Sequence, residues 1–126
     1  QIATMMSMAD GCIELYSGND DQVLPILSLG GLGVISVLSN VASKFTHDMV
    51  MKYFDGDTKG ATEDQLKALP LINALFSEVN PIPVKTAMNL MGMNVGPLRM
   101  PLCEMEEDTK AALAKEIEKF GLKLAK

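Results

Sequence analysis

A short run of oxygen-bearing side chains, Asn19-Asp20-Asp21, precedes a predicted helix. Carboxylate and amide oxygens are ligands for hard cations, so this run could hold a metal ion. Acidic residues at the start of a helix also satisfy its free N–H groups and interact favourably with its dipole. We expect the second role for these residues, and therefore no metal site.

Histidine and cysteine, the side chains most often used as a general base or a thiol nucleophile, are few, with one histidine and two cysteines. His47, the only histidine, precedes Asp48 near the start of a predicted helix, and no cysteine or serine nucleophile is placed beside it by spacing. We therefore expect His47 on the surface. Cys12 and Cys103 lie far apart and match neither a disulfide framework nor a zinc spacing. The glycines of 30–33 precede a strand, whereas phosphate-binding glycine loops precede a helix, so we expect no cofactor.

The composition limits the classes of protein to which the chain could belong. Its 126 residues, 48% of them hydrophobic, suffice for the core of one domain. The net charge of −5 disfavours nucleic acid and anionic membrane surfaces as partners. The low-charge run 23–42 is broken by proline and glycine, which is typical of a buried α/β core and not of a membrane span. No secretory signal pattern is present, so we expect a cytoplasmic protein with reduced cysteines.

The elements that must position these residues begin with a strand–helix–strand unit. Residues 12–16 have strand character, and a turn leads from them into a helix over about 21–29, with Pro25 in its first turn or so. After a glycine-rich loop, the apolar and partly β-branched run 34–38 predicts a strand buried on both faces. So short a unit makes the two strands parallel.

Helices make up the rest of the chain. The chain opens within an amphipathic helix over 1–9 that ends at Asp10-Gly11, and because Gln1 has no N-cap ahead of it, the beginning looks cut. Pro70 is expected to kink one later helix, and Asp108 is the expected N-cap of the last. The later helices are predicted over about 42–54, 60–77, 82–91 and 108–125.

Apolar stripes predict the buried faces of two of these helices. In the helix over 42–54, the residues at helical spacing are Phe45, Met49 and Tyr53. In the helix over 60–77, the predicted stripe consists of Leu66, Leu69, Ile72, Leu75 and Phe76. We expect both stripes to face the core.

Two strands are too few for a buried parallel sheet. Such a sheet leaves both edges and one face uncovered, which natural proteins avoid. Either neighbouring chains complete the sheet, or these residues are the end of a larger α/β domain.

Four segments resemble the dihydrodipicolinate synthases, in the right order and with matching spacing. Residues 16–21 resemble the end of the family's seventh barrel strand, and residues 29–40 resemble its eighth strand with the glycine loop that enters it. Residues 80–85, Asn-Pro-Ile-Pro-Val-Lys, and residues 98–102, Leu-Arg-Met-Pro-Leu, resemble two landmarks of its C-terminal helical region. Together the resemblance extends over nearly the whole chain.

This resemblance implies an α/β fold, the C-terminal part of a (β/α)8 TIM barrel followed by a C-terminal helical appendage. Residues 1–41 would be the end of the barrel, with strands seven and eight. Residues 42–126 would be the last barrel helix and the C-terminal helical region. The family also implies a homo-oligomer, a tetramer or a dimer.

The resemblance implies a chemistry as well. Members of the family condense pyruvate with aspartate semialdehyde on the diaminopimelate route to lysine, and they hold pyruvate as a Schiff base on a lysine of the sixth strand. That lysine, a tyrosine relay and an arginine would all lie before Gln1, so we expect the 126-residue chain alone to be inactive and to contain no catalytic residue. Lys44 and Lys85 do not lie at predicted strand ends, and neither is a candidate for the Schiff base.

Two family positions remain in the chain as candidates for substrate binding. Ile35 matches the eighth-strand residue that lines the pyruvate pocket, and Gly18 matches the seventh-strand glycine whose carbonyl faces the substrate. Sites in such barrels form at the C-terminal ends of strands, where an apolar wall helps to exclude water and a glycine permits close approach. Without the resemblance, Ile35 would be interpreted as a buried strand residue and Gly18 as a turn glycine.

Two alternatives remain open. N-acetylneuraminate lyase shares the barrel and the imine, although the segment 80–85 favours the synthase. A non-catalytic half-barrel would instead self-associate through its exposed sheet edges. The glycine loop and the pocket strand disfavour this second alternative, because they keep the pattern of the enzyme.

Overall fold

A computed structural model describes residues 1–125 of the chain, which form a mostly helical structure with one small parallel sheet. A 3-10 helix over Asp20–Gln22 precedes the second α-helix. No helix among residues 1–125 is both long and apolar enough to cross a membrane. The elements in chain order are α1 (Ile2–Ala9), β1 (Tyr16–Ser17), α2 (Val23–Ser28), β2 (Gly33–Val34), α3 (Ser39–Phe54), α4 (Thr58–Leu75), α5 (Ile82–Leu90) and α6 (Glu107–Phe120).

The two strands lie side by side and run parallel, as the predicted strand–helix–strand unit requires. Their register pairs Tyr16 with Gly33 and Ser17 with Val34. The backbone N–H of Ile35 donates to the carbonyl of Ser17 at 2.8 Å, which continues the pairing beyond the end of β2. The carboxyl ends of both strands therefore lie at one edge of the sheet, which we call the carboxyl edge (residues 17–20 and 35–38).

Both strands are shorter than predicted. Of the predicted strand 12–16, only the last residue lies in β1, because the described chain offers a single partner strand. Of the predicted strand 34–38, only the first residue lies in β2. The backbone N–H groups of Val37 and Leu38 donate to the carboxylate of Asp20 instead, so the chain turns directly into α3.

The boundaries of the middle helices differ from the prediction by a few residues. The helix predicted over 42–54 begins at Ser39 and is interrupted at Ala42, whose φ of −139° and ψ of 51° are not helical. The helix predicted over 60–77 begins earlier, after Asp57, whose carboxylate accepts a hydrogen bond from Gly60 N at 2.9 Å. This helix, α4, continues through Pro70 to Leu75.

The stripe predicted for α4 is partly wrong. Leu66 is 62% exposed and Phe76 is 40% exposed, whereas Ile72 and Leu75 of the same stripe are buried. The face that packs into the molecule follows helical spacing through small and polar residues that a search for large apolar side chains does not recognise. Its buried residues are Ala61, Gln65, Ala68, Leu71, Ile72 and Leu75.

The last helix is shorter than predicted and is capped by a distant residue. It ends at Phe120 because Gly121 adopts a left-handed conformation, with φ of 97°. Asp108 is not its N-cap, since it already lies within the first turn. The carboxylate of Glu78 accepts a hydrogen bond from Glu106 N at 3.1 Å and another from the hydroxyl of Thr109, so it satisfies the start of α6 from outside the helix.

The core consists of two apolar clusters. The larger lies among α3, α4, α5 and α6, where Phe45 and Phe120 make an edge-to-face contact with 4.8 Å between their ring centroids. The smaller joins α2 to α3 and α4, and Val34 of β2 packs against it, so it supports the sheet. The buried residues of the smaller cluster are Val23, Leu24, Leu27, Met49 and Ala61.

Candidate functional site

The carboxyl edge brings together the two predicted substrate-binding residues. Gly18 directly follows β1, and Ile35 directly follows β2. The hydrogen bond from Ile35 N to Ser17 O joins the two strand ends at this point. Both residues therefore lie where ligands bind in parallel α/β structures, beyond the carboxyl ends of neighbouring strands.

The surroundings of Ile35 and Gly18 are open within residues 1–125. The residue Ile35 is 73% exposed, so its side chain is not part of either apolar cluster. A Cβ added to Gly18 would meet no atom within 4 Å, so the packing of these residues does not require glycine there. The carboxyl edge thus presents an apolar side chain and an accessible backbone segment, which are features of a binding wall.

Ser17 orders the turn that contains Gly18. Its side chain is buried, and its hydroxyl donates to Asn19 O at 2.7 Å while accepting from Asn19 N at 3.2 Å. Such a turn fixes the backbone two residues onward through the side chain of the first residue. The peptide groups on either side of Gly18 are therefore held in place.

Asp20 connects the end of β1 to the end of β2. It is only 2% exposed, and its carboxylate accepts from the hydroxyl of Ser36, from Val37 N at 2.9 Å and from Leu38 N at 2.9 Å. Three hydrogen-bond donors of the β2 exit therefore satisfy this carboxylate. Contrary to the sequence prediction, the carboxylate does not cap the helix that Asp20 itself begins but holds the residues directly before α3, because the parallel strands bring the two segments together.

Gln65 is a site-supporting residue that the sequence did not indicate. It is buried in α4, its amide nitrogen donates to Asp20 O at 2.8 Å, and its amide oxygen accepts from Leu24 N at 3.4 Å. No local sequence pattern predicts these hydrogen bonds, because the partners of Gln65 lie more than 40 positions away in the sequence. The sequence pattern of α4 places this polar residue on the inward side of the helix. Buried polar side chains normally form hydrogen bonds, so this position alone indicates a structural role.

The other residues with chemical potential lie away from the carboxyl edge. The His47 side chain is 71% exposed on α3, as predicted. The hydrogen bond from Lys44 to Asp48, at 2.5 Å, and then the one from His47, hold the pKa of the Asp48 carboxyl below its usual value. Lys85 lies on α5 and donates to Pro97 O at 2.6 Å. Neither lysine is at a strand end, as expected.

The residues of the carboxyl edge limit the chemistry available to it. The segments 15–22 and 32–38 contain no lysine, cysteine or histidine. They can therefore bind and orient a ligand, but they offer no amine or thiol nucleophile.

Comparison with known sequences gives a consistent match. A sequence model of the dihydrodipicolinate synthetase family matches residues 1–120. A 4-hydroxy-tetrahydrodipicolinate synthase from Lachnoclostridium phytofermentans is 58% identical over 122 residues, which are 97% of this chain and 42% of that protein. The chain thus spans less than half the length of this curated relative.

Solved structures match the fold over the same extent. A dihydrodipicolinate synthase from Thermotoga maritima, 42% identical, superposes with a TM-score of 0.92 over 98% of this chain and 43% of its own. A chloride-inhibited dihydrodipicolinate synthase from Acinetobacter baumannii in complex with pyruvate, 30% identical, superposes with a TM-score of 0.91 over 97% of this chain and 42% of its own. With the family match over residues 1–120, these likenesses establish that the chain belongs to the dihydrodipicolinate synthetase family.

Proposed function

We propose that these residues are the C-terminal part of a dihydrodipicolinate synthase, an enzyme that condenses pyruvate with aspartate semialdehyde in lysine biosynthesis. The observation that carries the proposal is the 58% identity to a 4-hydroxy-tetrahydrodipicolinate synthase over 97% of the chain. The identity extends over 122 residues and so includes both strands and the segments that form the carboxyl edge. The proposal concerns the full-length enzyme, of which the chain would be less than half.

Within that enzyme, residues 1–41 would be the end of the (β/α)8 barrel, and β1 and β2 would be its seventh and eighth strands. Residues 42–126 would be the last barrel helix and the C-terminal helical region. The parallel pairing of β1 with β2 supports this division, as does the change to helices alone after β2. The smaller apolar cluster crosses the proposed boundary, so the two parts would be packed firmly against each other.

The substrate would be held at the carboxyl edge. Ile35 would form an apolar wall of the pyruvate pocket, and the carbonyl of Gly18 would face the substrate. The position of both residues beyond parallel strand ends supports these roles. The Schiff-base lysine would lie before Gln1, because the carboxyl edge contains no lysine, and the 126-residue chain alone would be inactive.

The remaining barrel strands would cover the open sides of the small sheet. Four apolar residues around it are at least 43% exposed among residues 1–125, namely Ile13, Tyr16, Leu32 and Ile35. An apolar surface of this kind is costly to leave in water and normally belongs to an interface. Within one full-length subunit the rest of the barrel is the natural partner, and the assembled enzyme would be a homo-oligomer.

Assays of the full-length protein with two substrates test this function. The proposal predicts that pyruvate is consumed when aspartate semialdehyde is supplied, and that N-acetylneuraminate is not cleaved. The second substrate belongs to the sibling lyase, which uses the same imine chemistry, so the pair separates the two members of one enzyme class. Release of pyruvate from N-acetylneuraminate, with no turnover of aspartate semialdehyde, would contradict the proposal.

A further inference from the structure

We propose that Asp20 is a positioning residue of the pyruvate site, because its buried carboxylate locks the ends of β1 and β2 together and so sets the places of Gly18 and Ile35. This inference rests on the proposed function. It assigns Asp20 no contact with the substrate. The residue acts through the two segments that form the binding wall.

The first support comes from the end of β2. All three groups that donate to the Asp20 carboxylate belong to Ser36, Val37 and Leu38, the residues that directly follow Ile35. The hydroxyl of Ser36 also accepts from Ser39 N at 2.8 Å, so the same side chain ties the segment to the first residue of α3. The backbone that leaves Ile35 is thereby held over its next three residues.

The second support comes from the end of β1. Asp20 lies two residues after Gly18, and its own carbonyl is anchored to α4 by the hydrogen bond from Gln65 at 2.8 Å. On the other side of Gly18, Ser17 O accepts from Ile35 N at 2.8 Å. Gly18 therefore lies between two bonded residues, Ser17 and Asp20. On the other segment, Ile35 donates to Ser17, and the three residues that follow it donate to the Asp20 carboxylate.

A side chain with two acceptor oxygens suits this role better than an amide. Both oxygens of Asp20 accept hydrogen bonds, one from a hydroxyl and the other from two backbone N–H groups. An asparagine has one acceptor oxygen, which can serve the N–H groups of Val37 and Leu38, and its NH2 group would then face the hydroxyl of Ser36. The substitution Asp20→Asn therefore keeps the size of the side chain, yet it removes the acceptor of the Ser36 hydroxyl.

The test uses the full-length enzyme and compares steady-state kinetics of four variants. Asp20→Asn should raise KM for pyruvate by about tenfold or more, since small displacements of binding groups have effects of this order. Ser36→Ala removes the hydroxyl that donates to Asp20 and accepts from Ser39 N, but it leaves the two backbone donors to Asp20 in place. It should raise KM less than Asp20→Asn, which keeps the test decisive if Asp20→Asn does not fold. Asp21→Asn makes the same change of charge at the adjacent exposed residue and should leave KM unchanged.

Glu78→Gln is the matched structural control. Glu78 also caps a helix start through a carboxylate, with two donors from Glu106 and Thr109, but it serves α6 and not the carboxyl edge. It should lower the melting temperature, as Asp20→Asn does, and leave KM for pyruvate at the wild-type value. A KM that rises equally in Glu78→Gln and Asp20→Asn would overturn the inference, because general destabilisation would then explain both.

An unchanged KM in Asp20→Asn, with wild-type turnover intact, would overturn the positioning role and leave the proposed function standing. A wild-type protein that forms no borohydride-trapped adduct with pyruvate would instead overturn the proposed function. The two failures are therefore distinguishable within one set of measurements.

Discussion

Asp20 ties three consecutive residues to a point 16 to 18 positions earlier in the chain. The sequence predicts that its carboxylate satisfies the start of the helix that follows it, whereas the carboxylate accepts from three residues that directly precede α3. Which helix it serves could not be predicted, because capping patterns are local and Asp20 reaches α3 through the pairing of two strands. Gln65 was missed for the same reason, since its partners lie on distant segments.

The roles of Ile35 and Gly18 in substrate binding remain predictions. For Ile35, the sharpest test is Ile35→Asp in the full-length enzyme. A carboxylate placed at the proposed wall would repel the carboxylate of pyruvate, so KM for pyruvate should rise about tenfold or more. Steady-state kinetics with varied pyruvate would measure this effect.

Leu66→Asp is the control for this substitution. Leu66 lies on α4 and is 62% exposed, so its replacement also exchanges an exposed apolar side chain for a charged one. Its KM should equal that of the wild type. If Ile35→Asp also keeps the wild-type KM, Ile35 does not line the pyruvate site.

The ion pair of Asp48 with Lys44 predicts a pH dependence of stability. The hydrogen bond from Lys44 lowers the pKa of Asp48 in the folded state below the usual 3.8. The stabilisation is therefore present above pH 3.8, and it is lost as the pH falls through the lower, folded pKa. Asp48→Asn should lower the melting temperature slightly at neutral pH, and the difference from the wild type should shrink in acid.

Thermal melts at several pH values would measure this dependence. Asp55→Asn, a change at an exposed carboxyl beyond the end of α3, should show no such convergence. A melting difference for Asp48→Asn that stays constant from neutral pH to below pH 3.8 would contradict the assignment.

At the scale of elements, the sequence predicted the existence and order of every helix and the parallel strand pair. The ends were less predictable where distant groups decide them. β2 ends early because the backbone N–H groups of Val37 and Leu38 donate to the carboxylate of Asp20. α6 begins one residue earlier than predicted, where the carboxylate of Glu78 accepts from Glu106 N. At Gly121 the signal is local, because a glycine in the left-handed conformation is a common end of a helix.

The loop that enters β2 provides a stability prediction. A Cβ added to Gly31 would lie 2.7 Å from both the backbone oxygen and the Cγ2 atom of Ile26, so a backbone group would have to move. We expect Gly31→Ala to reduce the free energy of unfolding by about 1–3 kcal/mol, as overpacked sites do. Denaturant or thermal unfolding of the full-length protein would measure the loss.

Gly33→Ala provides the comparison two residues later. There the added Cβ would lie 3.4 Å from the ring of Tyr16, an ordinary contact, so the loss should be smaller. If Gly31→Ala and the wild type are equally stable, the turn after α2 can move without cost. That result would contradict the predicted loss of stability from the clash with Ile26.

At the scale of the whole molecule, the count of strands was the most informative feature of the sequence. Two parallel strands cannot form a satisfactory buried sheet, which predicted that these residues belong with further strands. The structure agrees in that apolar residues such as Tyr16 and Leu32 are exposed beside β1 and β2. Which polypeptide segment covers them follows from the proposed function and not from the physics of residues 1–125.

The site of the Schiff base tests the central claim most directly. The full-length protein would be treated with pyruvate and borohydride, digested and mapped by mass spectrometry, beside the isolated 126-residue chain. We expect one pyruvate-derived adduct on a lysine that precedes Gln1 in the full-length protein, and no adduct on the isolated chain. An adduct on Lys44, Lys85 or any other lysine of this chain, or a full-length protein that forms no adduct, would contradict it.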